Sequence, residues 1–496
     1  MQNKNAISKK TQMVAWIIVF GAMAPMLDTT MINIALNSLR LSFHSSLTTV
    51  QWTVTCYLLA TGVAVPFSSW LLNKFDGKKL FIFSEALFGV GSLLAATSPN
   101  VHFLIAMRLV QGFADGLITP LLINLIVQLS GPEVLGQLMA TVGLPIILGP
   151  LLGPVVGGVI IKFLSWHWIF WINVPITIMS VILIVCKMPQ FPPKDKQSKM
   201  DFVGIGLLVL LSSTVIYGVV EAGTKDTFLN RETIDFLLFG LGMAIAYVVW
   251  AIVRHDRVVL PLSLFKFHAF TGSSIGIFIS GLFLNGAMLL LPLYFQNVRH
   301  MSVIAAALAL IPQGLSMLIT RPFVGRLTDS IGAKYVVMVS ILITFLGTIP
   351  FFWFTQKTAY WIIAVVLFVR GFGAGGVTMP LMADSYTGMD KTQTPAATIG
   401  SRIIQNVGGA FGSALVTTLV TSFANHNVHV FERRLKNQQY QVKTSQLQQF
   451  VTQHLSHIRL ESYQYGFLII SISAILIILP TLLLSNKMSG EKKQSV

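Results

Sequence analysis

The amino-acid sequence predicts an all-α polytopic membrane protein with fourteen membrane-spanning helices. Of its 496 residues, 54% are hydrophobic and only 10% are charged, and the mean hydropathy is +0.73. A soluble domain carries about 25% charged residues. The apolar residues form runs of roughly 20, the length with which a helix crosses the hydrocarbon core. Barrel strands are about half as long and alternate in polarity, so we expect helices.

Fourteen apolar runs follow one another along the chain. They lie at 13–36, 50–72, 79–97, 101–127, 136–161, 167–187, 202–221, 233–253, 269–295, 303–325, 335–354, 360–383, 398–423 and 463–485. No small-residue cleavage site follows the first run, so we expect a retained helix and not a signal peptide. Cys56 and Cys186 both fall in apolar runs, which indicates neither a disulfide framework nor a zinc site.

Positive charges indicate the side of the membrane that each loop faces. An even number of spans places both termini on one side, which carries 20 lysines and arginines. The other side carries 11, of which five lie in the long segment 424–462. Because Lys and Arg accumulate in short cytoplasmic loops, we expect both termini to be cytoplasmic. The net charge of +16 then reflects topology, and no arginine-rich arm or stacking motif indicates nucleic-acid binding.

The segment 424–462 is polar and rich in glutamine, and we expect a long, solvated extracellular loop with one weak helix. Within it, Leu447, Val451, Leu455 and Ile458 recur at spacings of three and four. The alternative is therefore a short amphipathic helix that lies on the outer face of the membrane.

Two internal matches indicate two related halves. SSWLLNKFDGKKL at 68–80 resembles VGRLTDSIGAKYV at 324–336 with an offset of 256 residues. The Gly-Phe pairs of RLVQGFADGLITP at 108–120 and VRGFGAGGVTMP at 369–380 are 259 residues apart. Such parallel repeats are typical of secondary transporters. We therefore divide the chain into an N-terminal half, a Pro- and Lys-rich linker with two extra helices, and a C-terminal half. The divisions are 1–187, 188–260 and 261–496.

The stretch MLDTTMINIAL at 26–36 places a carboxylate inside the first span. A charge inside a span costs about 2.5–3.5 kcal/mol on insertion scales and indicates a function. Because low-dielectric surroundings disfavour a charged carboxylate, Asp28 is our leading proton- or cation-binding residue, and we place Asn33 in the substrate cavity. The alternative is a permanently hydrogen-bonded carboxylate that fixes helix packing.

Arg108, Gln111 and Asp115 form one polar stripe on the fourth span, within about 60° on a helical wheel. Arg108 keeps its charge, so it needs a carboxylate partner, which Asp115 or Asp28 can supply. We predict a charge network whose pairing changes with protonation, in which Arg108 and Asp115 serve coupling and Gln111 lines the cavity. The alternative is a static buried ion pair.

The fifth span contains GPLLGPVVGG at 149–158. Glycines four residues apart allow helices to approach closely, and prolines weaken the backbone hydrogen bonds. We predict a pliable, tightly packed helix, with ordinary glycine packing as the alternative. The residues concerned are Gly149, Pro150, Gly153, Pro154, Gly157 and Gly158.

The stretch GRLTDSIGAK at 325–334 predicts a tight cytoplasmic turn that contains Gly325, Asp329 and Gly332. We expect this turn to latch neighbouring helix ends by charge and capping contacts, and the alternative is a plain turn. Elsewhere, Glu85 lies in the third span, and the sequence does not indicate whether it faces lipid, the cavity or a neighbouring helix. The sequence contains neither a Walker-type phosphate loop nor a metal-ligand spacing on a span. We expect no enzyme activity, no cofactor and no metal.

These motifs resemble the major facilitator superfamily, in particular its fourteen-helix drug:proton antiporter branch, over nearly the whole chain. LDTTMINIAL at 27–36, RLVQGFADG at 108–116 and GPLLGPVVGG at 149–158 are similar to its first-helix, fourth-helix and antiporter motifs. QWTVTCYLL at 51–59 resembles its second helix, and WHWIFWINVP at 166–175 resembles the start of its sixth.

The first-half loop departs from the family pattern. Ser69 and Asp76 stand where the family has glycine, and Asn73 stands where it has aspartate, so the charge latch of that half is altered. The second half keeps the pattern at 325–332. Asp115 occupies the position of a small residue, and the thirteenth span lacks any acidic residue.

The resemblance implies two six-helix bundles around a central cavity, with two additional helices. It also implies multidrug efflux: lipophilic, often cationic compounds leave the cell by alternating access as protons flow inward. We expect a monomeric, multi-pass protein of the bacterial cytoplasmic membrane whose partners are small lipophilic substrates, protons and lipid, with no nucleic acid.

The substrate site of such a protein is expected near the midplane between the halves. Met31, Phe283 and Met288 are candidates for its soft apolar walls, although core packing or lipid contact explains these residues equally well. A second hypothesis is a dedicated exporter of one metabolite, siderophore or lipid. A third is a membrane sensor or scaffold that transports nothing.

Overall fold

The computed structural model describes residues 8–193, 201–254, 258–389, 393–436 and 447–485. Within these ranges it leaves undescribed the side chains at 37, 47–48, 69, 127, 130–148, 150–151, 154, 303, 329, 395, 436 and 447. The described residues form eighteen α-helices and two 3-10 segments, Leu262–Lys266 and Ile349–Phe352, with no β-strand. The predicted all-α polytopic fold is confirmed.

The helices follow one another in this order: α1 Lys9–Gly21, α2 Met23–Ser42, α3 Leu47–Lys74, α4 Gly77–Ala96, α5 Val101–Phe163, α6 His167–Trp171, α7 Asn173–Lys187, α8 Phe202–Thr224, α9 Arg231–Arg254, α10 His268–Asn297, α11 Val303–Leu308, α12 Ile311–Ile331, α13 Ala333–Leu346, α14 Tyr360–Ala374, α15 Thr378–Asp384, α16 Thr394–Lys436, α17 Leu447–Leu476 and α18 Ile478–Thr481. Thirteen helical segments of the described chain are long and apolar enough to cross a membrane. The remaining predicted span, 136–161, falls within α5, largely where side chains are undescribed.

The first span consists of two helices that meet at Ala22. Proline has no backbone N–H, so Pro25 cannot donate to the carbonyl of Gly21 four residues earlier. The helix is interrupted there, between α1 and α2. This break lies six residues before Asp28, inside the membrane.

Helix α5 contains two membrane crossings. Arg108 pairs with Asp28 of α2, while Gly153 lies against Thr30 of the same helix. In a straight helix, positions 108 and 153 would be about 70 Å apart, yet their partners are two residues apart. The chain therefore reverses direction between these positions, and α5 supplies both the fourth and the fifth span.

The repeat in the sequence recurs in the packing. A Cβ added at Gly112 would overlap the backbone of Tyr57 on α3, and a Cβ at Gly371 would overlap the backbone of Gln313 on α12. These two pairs have the same offsets, 256 and 259 residues, as the sequence matches. The helix pair within the first half thus packs in the same way as the equivalent helix pair within the second half.

Helix α8 lies between the halves. Gly62 of α3 faces Ile216 of α8, and Thr418 of α16 donates a hydrogen bond to the Ala222 carbonyl of α8 at 3.1 Å. Asp201 caps the start of α8 and also accepts a hydrogen bond from the indole of Trp250 on α9 at 3.1 Å. The two inserted helices are therefore tied both to each other and to the bundles.

The segment 424–462 differs from the expected loop. Helix α16 continues to Lys436, and α17 begins at Leu447 and runs on into the last span. The Phe431 and His454 rings stack between the two helices, with centroids 4.5 Å apart. Glutamine, lysine and arginine are good helix formers, which explains why a polar composition here is compatible with helix. Residues 437–446 lie outside the described part of the chain.

Candidate functional site

The centre of the candidate site is an ion pair sealed inside the N-terminal half. Asp28 is 0% exposed and Arg108 is 1% exposed, and Arg108 Nη1 contacts Asp28 Oδ2. The other carboxylate oxygen, Oδ1, accepts a hydrogen bond from Asn173 Nδ2 at 3.0 Å. The sequence left the partner of Arg108 open between Asp115 and Asp28, and the structure pairs it with Asp28.

The guanidinium of Arg108 has further partners besides Asp28. Its Nε donates to the Thr53 carbonyl of α3 at 3.0 Å, and Nη1 donates to Gln111 Oε1 at 3.1 Å. The group also lies over the ring of Tyr57, 4.1 Å from its centroid. Gln111 in turn donates to Ser92 Oγ of α4 at 2.7 Å. Five helices, α2, α3, α4, α5 and α7, thus contribute to one polar cluster.

Four members of this cluster, Thr53, Tyr57, Ser92 and Asn173, were not identified from the sequence. Thr53 contributes through its backbone, which no side-chain motif reveals. Ser92 and Asn173 are single polar residues in apolar runs, and Asn173 lies within the WHWIFWINVP motif. The available signal was an asparagine within an apolar span, because a polar side chain that is buried there requires hydrogen-bond partners.

Asp115 lies outside the Asp28–Arg108 pair and faces the other half of the protein. It is 9% exposed, and its Oδ1 accepts a hydrogen bond from Thr119 at 3.2 Å. The guanidinium of Arg402 on α16 attracts this carboxylate electrostatically. Arg402 lies within the candidate span Ala396–Leu435. Asp115 thus lies within electrostatic range of Arg402, which belongs to the other half.

The predicted apolar walls of the cavity differ in exposure. Met31 and Phe283 are both 0% exposed, so they belong to the packed core in this structure. Met31 is buried because Gly157 of α5 lies directly against its backbone. Met288 is 40% exposed and Asn33 is also exposed, so these two keep free surface and their place in a cavity stays a prediction.

The glycines of the fifth span form a seam along α2, beside the ion pair. Gly149, Gly153 and Gly157 lie against Met26, Thr30 and Met31 in turn, and Gly158 faces Ile304 of α11. The expected close helix approach is therefore present, and the last contact joins the two halves. The side chains of Pro150 and Pro154 lie outside the described part of the chain, so the pliability of this helix stays a prediction.

A methyl group at Gly153 should disturb this seam. Its Cβ would overlap the Thr30 hydroxyl and lie 3.0 Å from the Leu27 carbonyl oxygen. We expect Gly153→Ala to destabilise the protein by about 1–3 kcal/mol, the usual cost of overpacking, and to slow transport. Thermal unfolding in detergent and an efflux assay measure both effects. Gly206→Ala is the matched control, because nothing lies within 4 Å of a Cβ there. If Gly153→Ala unfolded and transported like Gly206→Ala, the close packing of α5 against α2 would be contradicted.

The second-half turn is shorter than predicted. Gly325 and Asp329 are helical within α12, and only Gly332 forms the turn between α12 and α13, with φ 89°. Glycine adopts this left-handed region without steric cost, which explains its place there. Lys334 then reaches the Leu482 carbonyl at 3.5 Å. The side chain of Asp329 lies outside the described part of the chain.

Contacts of Asp76 and Lys78 hold the altered first-half loop against neighbouring segments. Asp76 Oδ1 caps α4 by accepting from the Lys79 amide at 3.0 Å, and its Oδ2 accepts from the Phe191 amide at 3.0 Å. Lys78 Nζ donates to the carbonyls of Val185 and Met188 at 2.9 and 2.7 Å. The aspartate that departs from the family pattern thus ties the loop to the end of α7 and the linker.

We expect Asp76→Ala to lower the free energy of unfolding by about 0.5–2 kcal/mol, the usual effect of losing an N-cap. The separate bond to Phe191 adds to that loss. Asp76→Asn keeps a capping oxygen and should lose less. The measurement is the unfolding midpoint of both variants in detergent, and an alanine variant as stable as wild type would rule out this stabilising role of Asp76.

Comparisons with known proteins agree with this architecture. The Major Facilitator Superfamily model matches residues 18–413. The Multidrug resistance protein B homolog of Mycobacterium tuberculosis is 31% identical over 415 residues, which cover 83% of this chain and 77% of that protein. The lincomycin resistance protein LmrB of Listeria innocua is 31% identical over 396 residues, covering 79% of this chain and 83% of LmrB. The multidrug export protein EmrB of Escherichia coli is 27% identical over 400 residues, covering 80% and 77%.

Solved structures share the fold at low sequence identity. The human organic anion transporter MFSD10 superposes with a TM-score of 0.60 at 13% identity, covering 94% of this chain and 99% of MFSD10. A bacterial homolog of the human lysosomal transporter Spinster, in an inward-facing and unoccupied conformation, superposes with a TM-score of 0.56 at 11% identity. That alignment covers 96% of this chain and 98% of the Spinster homolog.

Proposed function

The chain belongs to the major facilitator superfamily and is a multi-pass membrane transporter, and we propose that it exports lipophilic, cationic drugs in exchange for protons. Its membrane is the bacterial cytoplasmic membrane, with both termini inside the cell. The named resistance proteins support drug efflux as the direction and class of transport. Proton coupling and a cationic substrate are inferred from the intramembrane charges.

The observation that carries the proposal is the sealed Asp28–Arg108 pair. A buried ion pair is balanced only while both partners are charged, and removal of one charge costs about 3–5 kcal/mol. Protonation of Asp28 therefore releases Arg108 from its partner and destabilises this packing. A site with two arrangements of similar free energy is what alternating access requires.

Asp115 supplies the second partner in this scheme. It lies seven residues from Arg108 on the same face of α5 and close to the interface between the halves. Once Asp28 is neutral, the Asp115 carboxylate can offset the Arg108 charge. While Asp28 and Arg108 are paired, Asp115 is instead available to attract a cationic drug or Arg402. Proton binding and drug binding then oppose each other, as exchange requires.

A second candidate function is export of one dedicated metabolite, siderophore or lipid that carries an acidic group. Arg370 is 1% exposed, and its Nε has no hydrogen-bond partner among the described residues. Nε and Nη1 of Arg321 also have no hydrogen-bond partner among the described residues. No salt bridge of the described chain includes either arginine. Unpaired guanidinium groups inside a membrane favour an anionic ligand.

One efflux experiment separates the two candidates. Cells that express the protein are loaded with ethidium or, in parallel, with the anionic dye carboxyfluorescein, and efflux is followed with and without a protonophore. Our proposal predicts ethidium efflux that the protonophore stops. Export of carboxyfluorescein alone would favour the acidic-substrate candidate, and ethidium efflux that survives the protonophore would contradict proton coupling.

A further inference from the structure

Glu85 is a buried acid without an ionic partner. It lies on α4, is 0% exposed, and neither carboxylate oxygen has a hydrogen-bond partner among the described residues. A Cβ added at Gly21 of α1 would lie 2.7 Å from Glu85 Oε1 and 2.8 Å from Ser180 Oγ of α7. The carboxyl group therefore occupies the space that Gly21 leaves open, where α1, α4 and α7 meet.

The surroundings of Glu85 favour the neutral acid. The Ser180 hydroxyl interacts with it, but at a geometry looser than a full hydrogen bond. Among the described residues, the charged group that acts electrostatically on Glu85 is Asp115 of α5, which is also acidic. Helix α1 presents Gly21 to the Glu85 carboxyl group. In this arrangement the charged form of the carboxyl group is disfavoured, because burial without a counter-charge is costly.

A row of buried polar side chains, which we call the polar seam, lies between this acid and the Asp28–Arg108 pair. On α7, Asn173, Thr177 and Ser180 are at most 2% exposed, and their spacing of four and three residues places them on one face. Asn173 donates to Asp28 at one end, and Ser180 faces Glu85 at the other. The seam is about 10 Å long, since seven residues of helix rise that far.

Helix α4 forms the opposite side of the same seam. A Cβ at Gly89 would lie 2.6 Å from Thr177 Oγ1, so the two helices run antiparallel with Glu85 opposite Ser180. Two turns from Glu85, Ser92 accepts the hydrogen bond from Gln111, which contacts Arg108. Buried polar side chains of α4, α5 and α7 thus lie between the two acids.

We propose that Glu85 is a second proton-binding residue, which receives the proton from Asp28 and releases it toward the cytoplasm. This inference rests on the proposed proton exchange. With the N-terminus cytoplasmic, α4 runs outward, so Glu85 lies on the inner side of the Asp28 cluster. Inward proton flow therefore meets Asp28 first and Glu85 second.

The transfer conserves charge within the membrane. One O–H bond breaks at Asp28 and one forms at Glu85, so the negative charge moves from Glu85 to Asp28. Arg108 then pairs with the new carboxylate, and Glu85 is left neutral. This is the arrangement in the structure, with Asp28 paired and Glu85 unpaired. Loss of the proton from Glu85 to the cytoplasmic side completes the passage.

The test uses the full-length protein in proteoliposomes and two assays of the same substrate, ethidium. One assay drives transport with a proton gradient, and the other follows ethidium exchange across the membrane without a gradient. We expect Glu85→Gln to slow gradient-driven transport by at least tenfold and to leave exchange within twofold of wild type. Ser84→Ala, a buried neighbour on α4 that bonds only to its own helix backbone, should match wild type in both assays.

The outcomes separate this inference from the proposed function. Wild-type protein without gradient-driven transport would overturn proton exchange and this inference with it. Active wild type with an equally active Glu85→Gln variant would overturn the role of Glu85 alone, as would equal loss in both assays. Infrared spectroscopy adds a readout that does not require activity. Wild type at neutral pH should show the carbonyl band of a protonated carboxylic acid, which Glu85→Gln removes and Glu85→Asp shifts. Absence of a Glu85-dependent band would overturn the proposal even if the variants fold poorly.

Discussion

Replacement of Asp28 by asparagine is expected to abolish drug efflux. Asparagine keeps the size and one acceptor oxygen, so the bond from Asn173 can persist, but it cannot carry a proton or compensate Arg108. We expect the efflux rate to fall by at least about 10-fold, because the variant cannot alternate between paired and unpaired states. The measurement is ethidium efflux from cells that contain equal amounts of wild-type or variant protein in the membrane.

The matched control is Asp235→Asn on α9. Asp235 is 65% exposed and forms a surface pair with Arg231, and such pairs contribute about 0–1 kcal/mol. This variant should transport like wild type. If Asp28→Asn also exported at the wild-type rate, the carboxylate would be a packing element, and coupling would have to reside at Asp115 or Glu85.

Arg108→Gln should be the most destabilising single substitution in the N-terminal half. It leaves the Asp28 carboxylate buried without its counter-charge and also removes the bonds to Thr53 and Gln111. Breaking a buried pair in this way costs about 3–5 kcal/mol. We expect a lower unfolding midpoint in detergent, less protein in the membrane and no efflux.

The double variant Asp28→Asn with Arg108→Gln separates stability from transport. Because it buries no uncompensated charge, it should recover much of the stability lost in Arg108→Gln, while efflux stays absent. A double variant that is no more stable than Arg108→Gln would show that the two side chains contribute independently and not as a pair.

The sequence predicted the parts of this protein that depend on local pattern. Hydrophobic runs revealed the spans, and the cost of intramembrane charge singled out Asp28 and Arg108 before any contact was known. Glycine spacing predicted the close approach of the fifth span, which the structure places against α2. Each of these signals lies within one helix, so a single sequence contains it.

The sequence did not reveal which groups meet across helices. Asp28 and Asp115 were equally suitable partners for Arg108, and only the packing of α2 against α5 decides between them. Met31 and Phe283 lie in spans that are apolar all round, where periodicity does not distinguish core from cavity. The continuation of α16 and α17 beyond the membrane was hidden by their polar composition.

The central claim is that outward drug transport and inward proton movement are one coupled process. Its most direct test is proton flux in proteoliposomes that contain purified protein and a pH-sensitive dye but no initial pH gradient. An imposed ethidium gradient should drive protons in the direction opposite to ethidium, and Asp28→Asn should abolish this flux. Ethidium transport by wild-type protein without any proton movement would contradict the account.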